Sequence, residues 1–123
     1  MIFKRYFMIK NVSFIIPVYN EQKRISNVHN WIKWFNKNTF NCELILSLNG
    51  CNDKTEELLK KIKYKYLKLV ISEQRGRGFA IIKALKNTKK RYACICSIDH
   101  AWNKKFYFSS FIMIKSDPKL FCI

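Results

Sequence analysis

Glycine and proline are scarce in this chain, with 3 and 2 residues among 123. Their scarcity excludes collagen-like repeats and proline-rich linkers. No apolar run approaches the roughly 18 residues that a membrane-spanning helix requires. Because 49% of the residues are hydrophobic and 26% are charged, the composition is also unlike that of disordered proteins. The expectation is one soluble globular domain over residues 1–123, since single domains usually have about 100–200 residues.

Acidic residues are few as well. Eight Asp and Glu stand against 24 Lys and Arg, which gives a formal net charge of +16. Such a chain attracts polyanions, namely nucleic acid, an anionic membrane surface or phosphorylated small molecules. A solvated Lys-rich surface is the alternative reading. Residues 1–11 mix basic and aromatic side chains, and they are interpreted either as a tail that leans on a membrane surface or as a frayed or pairing terminus.

The cysteines form no metal-binding pattern. Their number is odd, and neither a CxxC pair nor a zinc-type Cys/His spacing is present. Cys94 and Cys96 are two residues apart in an apolar run, so a strand would place them on one face. We therefore predict that all five cysteines are free thiols and that the chain is cytoplasmic. The cysteines are Cys42, Cys51, Cys94, Cys96 and Cys122.

Short apolar runs alternate with amphipathic stretches along the chain. The apolar runs predict strands at Val12–Pro17, Glu43–Leu48, Tyr66–Ser72 and Tyr92–Ile98. Helical spacing predicts helices at Arg24–Phe35, from Asp53 onward and at Ala80–Asn87. This alternation predicts an α/β domain whose mainly parallel sheet carries helices on both faces.

The sequence also predicts how the second helix begins, which face of the third helix is buried, and what the last segments form. Asp53 and Glu56 have the spacing of a capping box at the start of the second helix. The third helix is expected to face inward with Ile81, Ala84 and Leu85. Lys105–Ile114 fits either a helix or a strand, and Leu120–Ile123 is the start of another strand.

Polar residues cluster where each predicted strand ends. They are Tyr19, Asn20 and Glu21, then Asn49, Gly50 and Asn52, then Arg75 to Gly78, and finally Asp99. The carboxyl ends of parallel strands lie at one edge of a sheet, and ligands bind there. Each cluster by itself is also compatible with ordinary turn chemistry.

These residues carry a resemblance to a known family. SFIIPVYNEQKRI (Ser13–Ile25) is similar to a first strand that ends in a PxYNE signature, and RGRGFAIIKAL (Arg75–Leu85) to a G-x-G-x-x-A helix start. ELILSLNGCNDKTEELLKK (Glu43–Lys61) is similar to the second strand and helix, and CSID (Cys96–Asp99) falls where a DxD motif is expected. The sequence thus resembles the nucleotide-binding half of inverting, GT-A-fold glycosyltransferases of family 2, over about Val12 to Asn103.

The resemblance implies a Rossmann-like half that binds a UDP- or GDP-linked sugar. Tyr19, after Pro17 in the PxYNE signature, would stack on the base, and Glu21 would accept hydrogen bonds from the ribose. Asn49 stands where the family usually has an acid that contacts the base edge. Alternatively, Tyr19 packs on its own loop, Glu21 is a first-turn charge, and Asn49 belongs to a plain Asn-Gly turn.

Phosphate and metal contacts are expected from the later loops. Arg77 is the first choice for the diphosphate, with Arg75 as a substitute, because guanidinium suits phosphate oxygens. A solvent-facing Arg77 is the alternative. Asp99 is the predicted ligand of Mg²⁺ or Mn²⁺, and in one register Ser97 replaces the first acid of the DxD motif. In the other register Asp99 is the first acid and Ala101 stands at the second position.

The resemblance stops before the acceptor-binding half and its general base. Asp117 is the acid that follows, and nothing around it matches the family. Catalytic residues and the acceptor are therefore unassigned. The chain is expected to be a glycosyltransferase or a truncated remnant of one, either inactive alone or completed by a partner chain, and placed in the cytoplasm or at the cytoplasmic membrane face. The alternative is a basic α/β module that binds nucleic acid or another partner without catalysis, although no nucleic-acid motif is present.

Overall fold

The computed structural model describes residues 11–37 and 42–99. Strands and helices alternate throughout this part of the chain. A 3-10 turn, Gln22–Arg24, precedes the first helix. In chain order the other elements are β1 (Val12–Val18), α1 (Ile25–Lys37), β2 (Glu43–Asn49), α2 (Thr55–Lys60), β3 (Leu67–Ser72), α3 (Arg77–Asn87) and β4 (Tyr92–Ile95).

The four strands form one parallel sheet in the order β3-β2-β1-β4. β1 pairs with β2 from Ser13 opposite Glu43 to Val18 opposite Leu48. The chain first moves outward from β1 to β3 and then crosses to the other side of β1, so the strand order reverses between β1 and β4. The predicted α/β fold with a parallel sheet is confirmed.

An aromatic core covers one face of the sheet. Phe14 of β1 packs against Trp31 and Phe35 of α1, with ring centroids 5.9 and 5.1 Å apart. Leu59 of α2 joins the same buried cluster. Aromatic side chains of this size bury large apolar areas, so this face supplies much of the hydrophobic stabilisation of the described domain. Val28, Ile32 and Phe35 of α1 are buried, which agrees with the helical spacing of apolar residues that predicts this helix.

A smaller core covers the opposite face, where α3 packs. Ala80 and Ala84 are fully buried, and the Ser47 hydroxyl donates a hydrogen bond to the Ala80 carbonyl oxygen at 2.8 Å. The predicted inward position of Leu85 is wrong, because its side chain is 38% exposed. The small alanines bring the α3 backbone close to the sheet, and Leu85 lies about 100° around the helix from Ala84. Helices therefore lie on both faces, as predicted.

Two predicted boundaries differ from the structure by three residues. α3 begins at Arg77 instead of Ala80. Gly76 is the N-cap residue of this helix, and its φ of 132° is not helical. β4 ends at Ile95 instead of Ile98, since the last sheet hydrogen bond runs from the Cys96 N–H to the Ile15 carbonyl at 2.8 Å.

The predicted capping box is also wrong. α2 begins at Thr55, with Lys54 at the N-cap and no side-chain cap hydrogen bond there. The Asp53 carboxylate instead accepts hydrogen bonds from the Thr55 N–H, at 2.9 Å, and from the Thr55 hydroxyl. This is an Asx-type turn that leads into the helix.

The described cysteines are free thiols. Cys94 and Cys96 lie on one face with sulfur atoms 3.7 Å apart, as their spacing predicts. Burial raises the pKa of Cys42 to about 12. Residues 11–37 and 42–99 contain no helix long and apolar enough to cross a membrane. The predictions for residues 1–10, His100, Ala101, Lys105–Ile114, Asp117, Leu120–Ile123 and Cys122 lie outside the described residues.

Candidate functional site

An open pocket of about 380 Å³ lies at the carboxyl edge of the sheet. Its walls come from the carboxyl ends of β1 and β2, the loop after β1 and the start of α3 with the loop before it. Four of its lining residues belong to β1, β2 or the loop after β1, two belong to the loop that leads into α3, and one is the first residue of α3. The lining residues are Pro17, Tyr19, Glu21, Asn49, Arg75, Gly76 and Arg77.

The loop after β1 is tied to the loop after β2. Asn20 has a φ of 47°, a left-handed conformation that Asn tolerates better than most residues. Its side-chain amide donates to Asn52 Oδ1 at 2.8 Å, and its Oδ1 accepts from the Asn52 N–H at 2.9 Å. The Glu21 N–H donates to the buried Thr55 hydroxyl oxygen at 2.8 Å. These bonds hold Tyr19 and Glu21 at the pocket.

The same loop junction sets the charge state of Asp53. Desolvation by itself raises the pKa of this carboxyl group, but hydrogen bonds from the Thr55 hydroxyl, the Thr55 N–H and the Gln22 backbone outweigh it. The net effect is a pKa below the usual value. Asp53 is therefore ionised at neutral pH. It stabilises the loop through its hydrogen bonds and is not one of the residues that line the pocket.

Asn49 ends β2 and is buried against the pocket, with 6% of its surface exposed. The chain then turns at Gly50, whose φ is 69° and whose N–H donates to the Ser72 carbonyl at 2.7 Å. An amide at this place can both donate and accept hydrogen bonds toward a ligand. Asn49 therefore both precedes the turn at Gly50 and lines the pocket.

Two arginines come from the loop after β3. The guanidinium carbon of Arg75 lies 4.4 Å from the centroid of the Tyr19 ring, which is a cation–π contact. Arg77 is the first residue of α3, and its side chain is exposed. The pocket lining therefore includes two positive groups together with Glu21 and Asn49.

An ion-pair chain joins the pocket to the segment after β4. Arg24 Nη1 donates to Glu21 Oε2 at 2.9 Å, and Arg24 Nε lies 3.6 Å from Asp99 Oδ1. The hydrogen bond with Glu21, its charge and the charge of Asp99 raise the pKa of Arg24. Asp99 is thereby placed beside the pocket, although it is not one of the lining residues.

A divalent cation beside the pocket would need oxygen ligands near Asp99. The Ser97 hydroxyl oxygen accepts a hydrogen bond from the Asp99 N–H at 3.3 Å, so this hydroxyl lies next to the Asp99 backbone. Mg²⁺ commonly uses one or two carboxylates and completes its shell with water and substrate phosphates. A carboxylate and a hydroxyl are groups of the type that such a shared cation uses, and their role as ligands remains a prediction. Within the two described ranges, no group of three or more His, Cys, Asp or Glu forms a complete cage.

The pocket brings together six residues predicted from the sequence, namely Pro17, Tyr19, Glu21, Asn49, Arg77 and its substitute Arg75. Ser97 and Asp99 stand beside it. Their roles in ligand binding remain predictions. Sequence reasoning missed Arg24, although its position three residues after Glu21 on a helical start is the signal for an ion pair between them.

A doubly wound α/β sheet with a polar pocket at its carboxyl edge is the architecture of ligand-binding Rossmann-like domains. Residues 13–118 match the sequence profile described as Glycosyl transferase family 2. The match covers most of the chain, and the chain belongs to this family.

One curated relative has a comparable sequence. It is the dolichyl N-acetyl-alpha-D-glucosaminyl phosphate 3-beta-D-2,3-diacetamido-2,3-dideoxy-beta-D-glucuronosyltransferase of Methanococcus voltae, 28% identical over 120 residues. The match covers 89% of this chain and 36% of the relative. The chain thus spans about a third of that protein's length.

Proposed function

We propose that this chain binds a nucleotide-diphosphate sugar in the pocket at the carboxyl edge of the sheet, for transfer of the sugar to an acceptor. One observation carries the proposal. Side chains suited to a base, a ribose and a diphosphate come from separate loops and line a single pocket. Family 2 membership supports a sugar donor as the ligand, in preference to other nucleotides.

Each wall of the pocket has a part in this proposal. Glu21 accepts hydrogen bonds from ribose hydroxyls, and Asn49 contacts the base edge with its amide. Arg75 and Arg77 bind the diphosphate, because guanidinium groups form paired hydrogen bonds with phosphate oxygens. Arg24 holds the Glu21 and Asp99 carboxylates in position at 2.9 and 3.6 Å.

We assign Mg²⁺ or Mn²⁺ to Asp99 and Ser97, with the diphosphate and water as the remaining ligands. When bound, the cation stabilises the negative charge of the departing diphosphate. Asp99 contributes a carboxylate that is about half exposed and therefore open to a ligand. No general base is assigned among residues 11–37 and 42–99, so the proposal covers binding of the sugar donor. Binding and deprotonation of the acceptor are assigned to other residues or to a partner chain.

Thermal unfolding with UDP or GDP, in the presence and absence of Mn²⁺, tests the proposal. A ligand at about 100 times its Kd stabilises a fold by roughly 2.7 kcal/mol, which is a readily measured rise in Tm. We expect the rise to require Mn²⁺ and to disappear in Asp99→Ala. Glu57→Ala is the matched control, because Glu57 is an exposed acid that pairs with Lys61 at 3.7 Å and is not one of the residues that line the pocket.

Three outcomes separate the readings. A metal-dependent rise that survives in Glu57→Ala and is lost in Asp99→Ala supports the proposal. A rise that is independent of metal overturns the assignment at Asp99 but keeps nucleotide binding. No nucleotide response, together with steeply salt-dependent binding to DNA or RNA, favours the nucleic-acid module instead.

A further inference from the structure

Lysine and arginine side chains are concentrated at the amino edge of the sheet, which is the edge opposite the pocket. The helices run back along the parallel strands, so each helix ends at that edge. α1 and α2 end at Lys37 and Lys60, and Lys86 lies in the last turn of α3. The segments that follow α2 and α3 add further exposed cations. We call all of these cations the basic edge, and the added ones are Lys61, Lys63, Lys65, Lys89, Lys90 and Arg91.

Hydrogen bonds hold the segments of the basic edge against one another. The Lys68 ammonium donates to the Asn87 carbonyl oxygen at 2.7 Å, which joins the start of β3 to the end of α3. The Tyr64 hydroxyl donates to the Cys42 carbonyl oxygen at 3.0 Å, which joins the segment after α2 to the start of β2. The cations on these segments therefore share one surface.

Few acids balance the charge of this surface. The stretches KKIKYKYLK (residues 60–68) and KNTKKRY (residues 86–92) contain no acidic residue. Glu43 begins β2 at the same edge, but its carboxylate accepts hydrogen bonds from the Ser13 hydroxyl at 2.6 Å and the Thr88 hydroxyl at 2.9 Å. This carboxylate is thus engaged inside the fold.

The other described acids lie toward the carboxyl edge, in loops that follow strands or in the first turn of α2. Lys60 and Lys61 reach back one helical turn to two of them, at 3.1 and 3.7 Å, and both pairs are exposed and weak. Charge is therefore segregated along the strand direction. These acids are Glu21, Asp53, Glu56, Glu57, Glu73 and Asp99.

Aromatic rings lie among the cations of the basic edge. The Lys65 ammonium lies 5.6 Å from the centroid of the Tyr66 ring, and the guanidinium carbon of Arg91 lies 5.5 Å from that of Tyr92. Both rings are partly exposed. Tyrosine beside Lys or Arg is typical of surfaces that meet the headgroup layer of a membrane, because the ring is apolar and its hydroxyl is polar.

The chain that leads into this edge has the same character. The Tyr92 N–H donates to the Asn11 carbonyl oxygen at 3.0 Å, so β1 begins beside Arg91 and Tyr92. The preceding residues 1–10, MIFKRYFMIK, combine three cations with aliphatic and aromatic side chains and contain no acid. Aliphatic side chains beside cations suit a lipid interface, whereas binding to nucleic acid depends mainly on phosphate charge.

We propose that the basic edge docks on an anionic phospholipid surface. Clusters of Lys and Arg near a membrane are attracted by the negative potential of acidic headgroups. β1 has seven residues, so the pocket at the other end of the strands would lie roughly 20 Å from the headgroups and stay open to solution. The inference goes beyond the proposed function and does not depend on which ligand the pocket binds.

Co-sedimentation with vesicles tests the proposal at about 0.1 M NaCl. We expect the full chain to bind phosphatidylcholine vesicles that contain phosphatidylserine and not vesicles of phosphatidylcholine alone. Lys63→Gln combined with Lys89→Gln should weaken this binding roughly tenfold or more, because two cations of the docking surface are lost. Lys23→Gln combined with Lys54→Gln is the matched control, because both residues are exposed at the carboxyl edge and the charge removed is the same. The control should weaken binding by about threefold or less.

The comparison separates a docking surface from net charge. A loss of binding confined to the Lys63 and Lys89 variant, with the Tm of both variants unchanged, supports the proposal. Equal weakening in the two variants overturns it, because net charge alone would then set the affinity. A chain that does not bind the phosphatidylserine vesicles overturns it as well. If that chain binds duplex DNA of random sequence at the same salt concentration, the basic edge is a nucleic-acid surface instead.

Discussion

Asn20 is the residue at which the first pocket loop turns. Its φ of 47° is rare outside glycine, and its side chain makes two hydrogen bonds to Asn52. Asn adopts this conformation more readily than alanine does, because its short polar side chain can bond locally. The side chain thus both permits the turn and fastens it to the neighbouring loop.

Substitutions at these two positions separate the hydrogen bonds from the backbone conformation. Asn52→Ala removes one of the two bonds, because the backbone N–H of residue 52 still donates to Asn20 Oδ1, and it should lower the free energy of unfolding by about 1 kcal/mol or less. Asn20→Ala also places alanine at positive φ and should cost about 2 kcal/mol. Urea unfolding measures both values.

Glycine at position 20 is the control for that difference. Asn20→Gly and Asn20→Ala lose the same two hydrogen bonds, but glycine relieves the backbone, so Asn20→Gly should be the more stable of the two. Equal losses of stability in Asn20→Gly and Asn20→Ala would contradict a backbone contribution at Asn20.

At the scale of elements, the loops that leave the strands matter more for the site than the helices do. α2 begins beside the first pocket loop, and its start is fixed by Asp53 and Thr55. The buried Thr55 hydroxyl also accepts the Glu21 N–H at 2.8 Å. The beginning of this helix and the position of Glu21 are therefore set by the same few atoms.

Asp53→Ala should lower the free energy of unfolding by about 1 kcal/mol at neutral pH, as for the loss of a helix-start side chain. The pKa of Asp53 is lower in the folded chain than in the unfolded chain, where it is about 3.9. Its stabilisation is thus complete above that unfolded value and is lost as the pH falls through the folded value.

Urea unfolding of the unmodified chain and Asp53→Ala, from pH 7 down to about pH 3, measures this difference. We expect a constant gap at the higher pH values and a narrowing gap below about pH 4. Glu57→Ala is the control, because its exposed pair with Lys61 should contribute little at any pH. A gap that widens on acidification would contradict the lowered pKa of Asp53.

At the scale of the whole molecule, the charge imbalance dominates. A net charge of +16 on 123 residues makes the compact state self-repulsive. The ion pairs found in the described part, such as Lys60 with Glu56 at 3.1 Å, are exposed and offset little of this repulsion. The same positive field would attract an anionic ligand to the pocket.

Added salt should therefore stabilise the fold. Between about 0.02 M and 0.2 M NaCl the screening length falls to below roughly 10 Å, so repulsion between distant lysines decreases. We expect the Tm to rise over this range, and to rise less when the exposed residues Lys33, Lys63 and Lys89 are changed to Gln. A Tm that stays constant or falls would show that repulsion does not limit stability.

The amino-acid pattern alone predicts the order of strands and helices, because the spacing of apolar residues reflects the face that each element buries. It also predicts that Tyr19, Asn49 and Asp99 lie at or just after the ends of strands, at one edge of a parallel sheet. Element ends were less predictable. Arg77 is in α3 and Asp99 lies beyond β4, because hydrogen bonds to neighbouring elements decide where a strand or helix stops.

Contacts between side chains of separate elements were not predictable from the sequence and became visible in the folded structure. Arg75 lies on Tyr19, Arg24 reaches Asp99, and Asn20 bonds to Asn52, each across loops far apart in the chain. Leu85 stays exposed for the same reason, since two alanines already fill the space between α3 and the sheet. Such contacts depend on distances between separate elements, and these are set by packing of the whole sheet and its helices and not by local residue patterns.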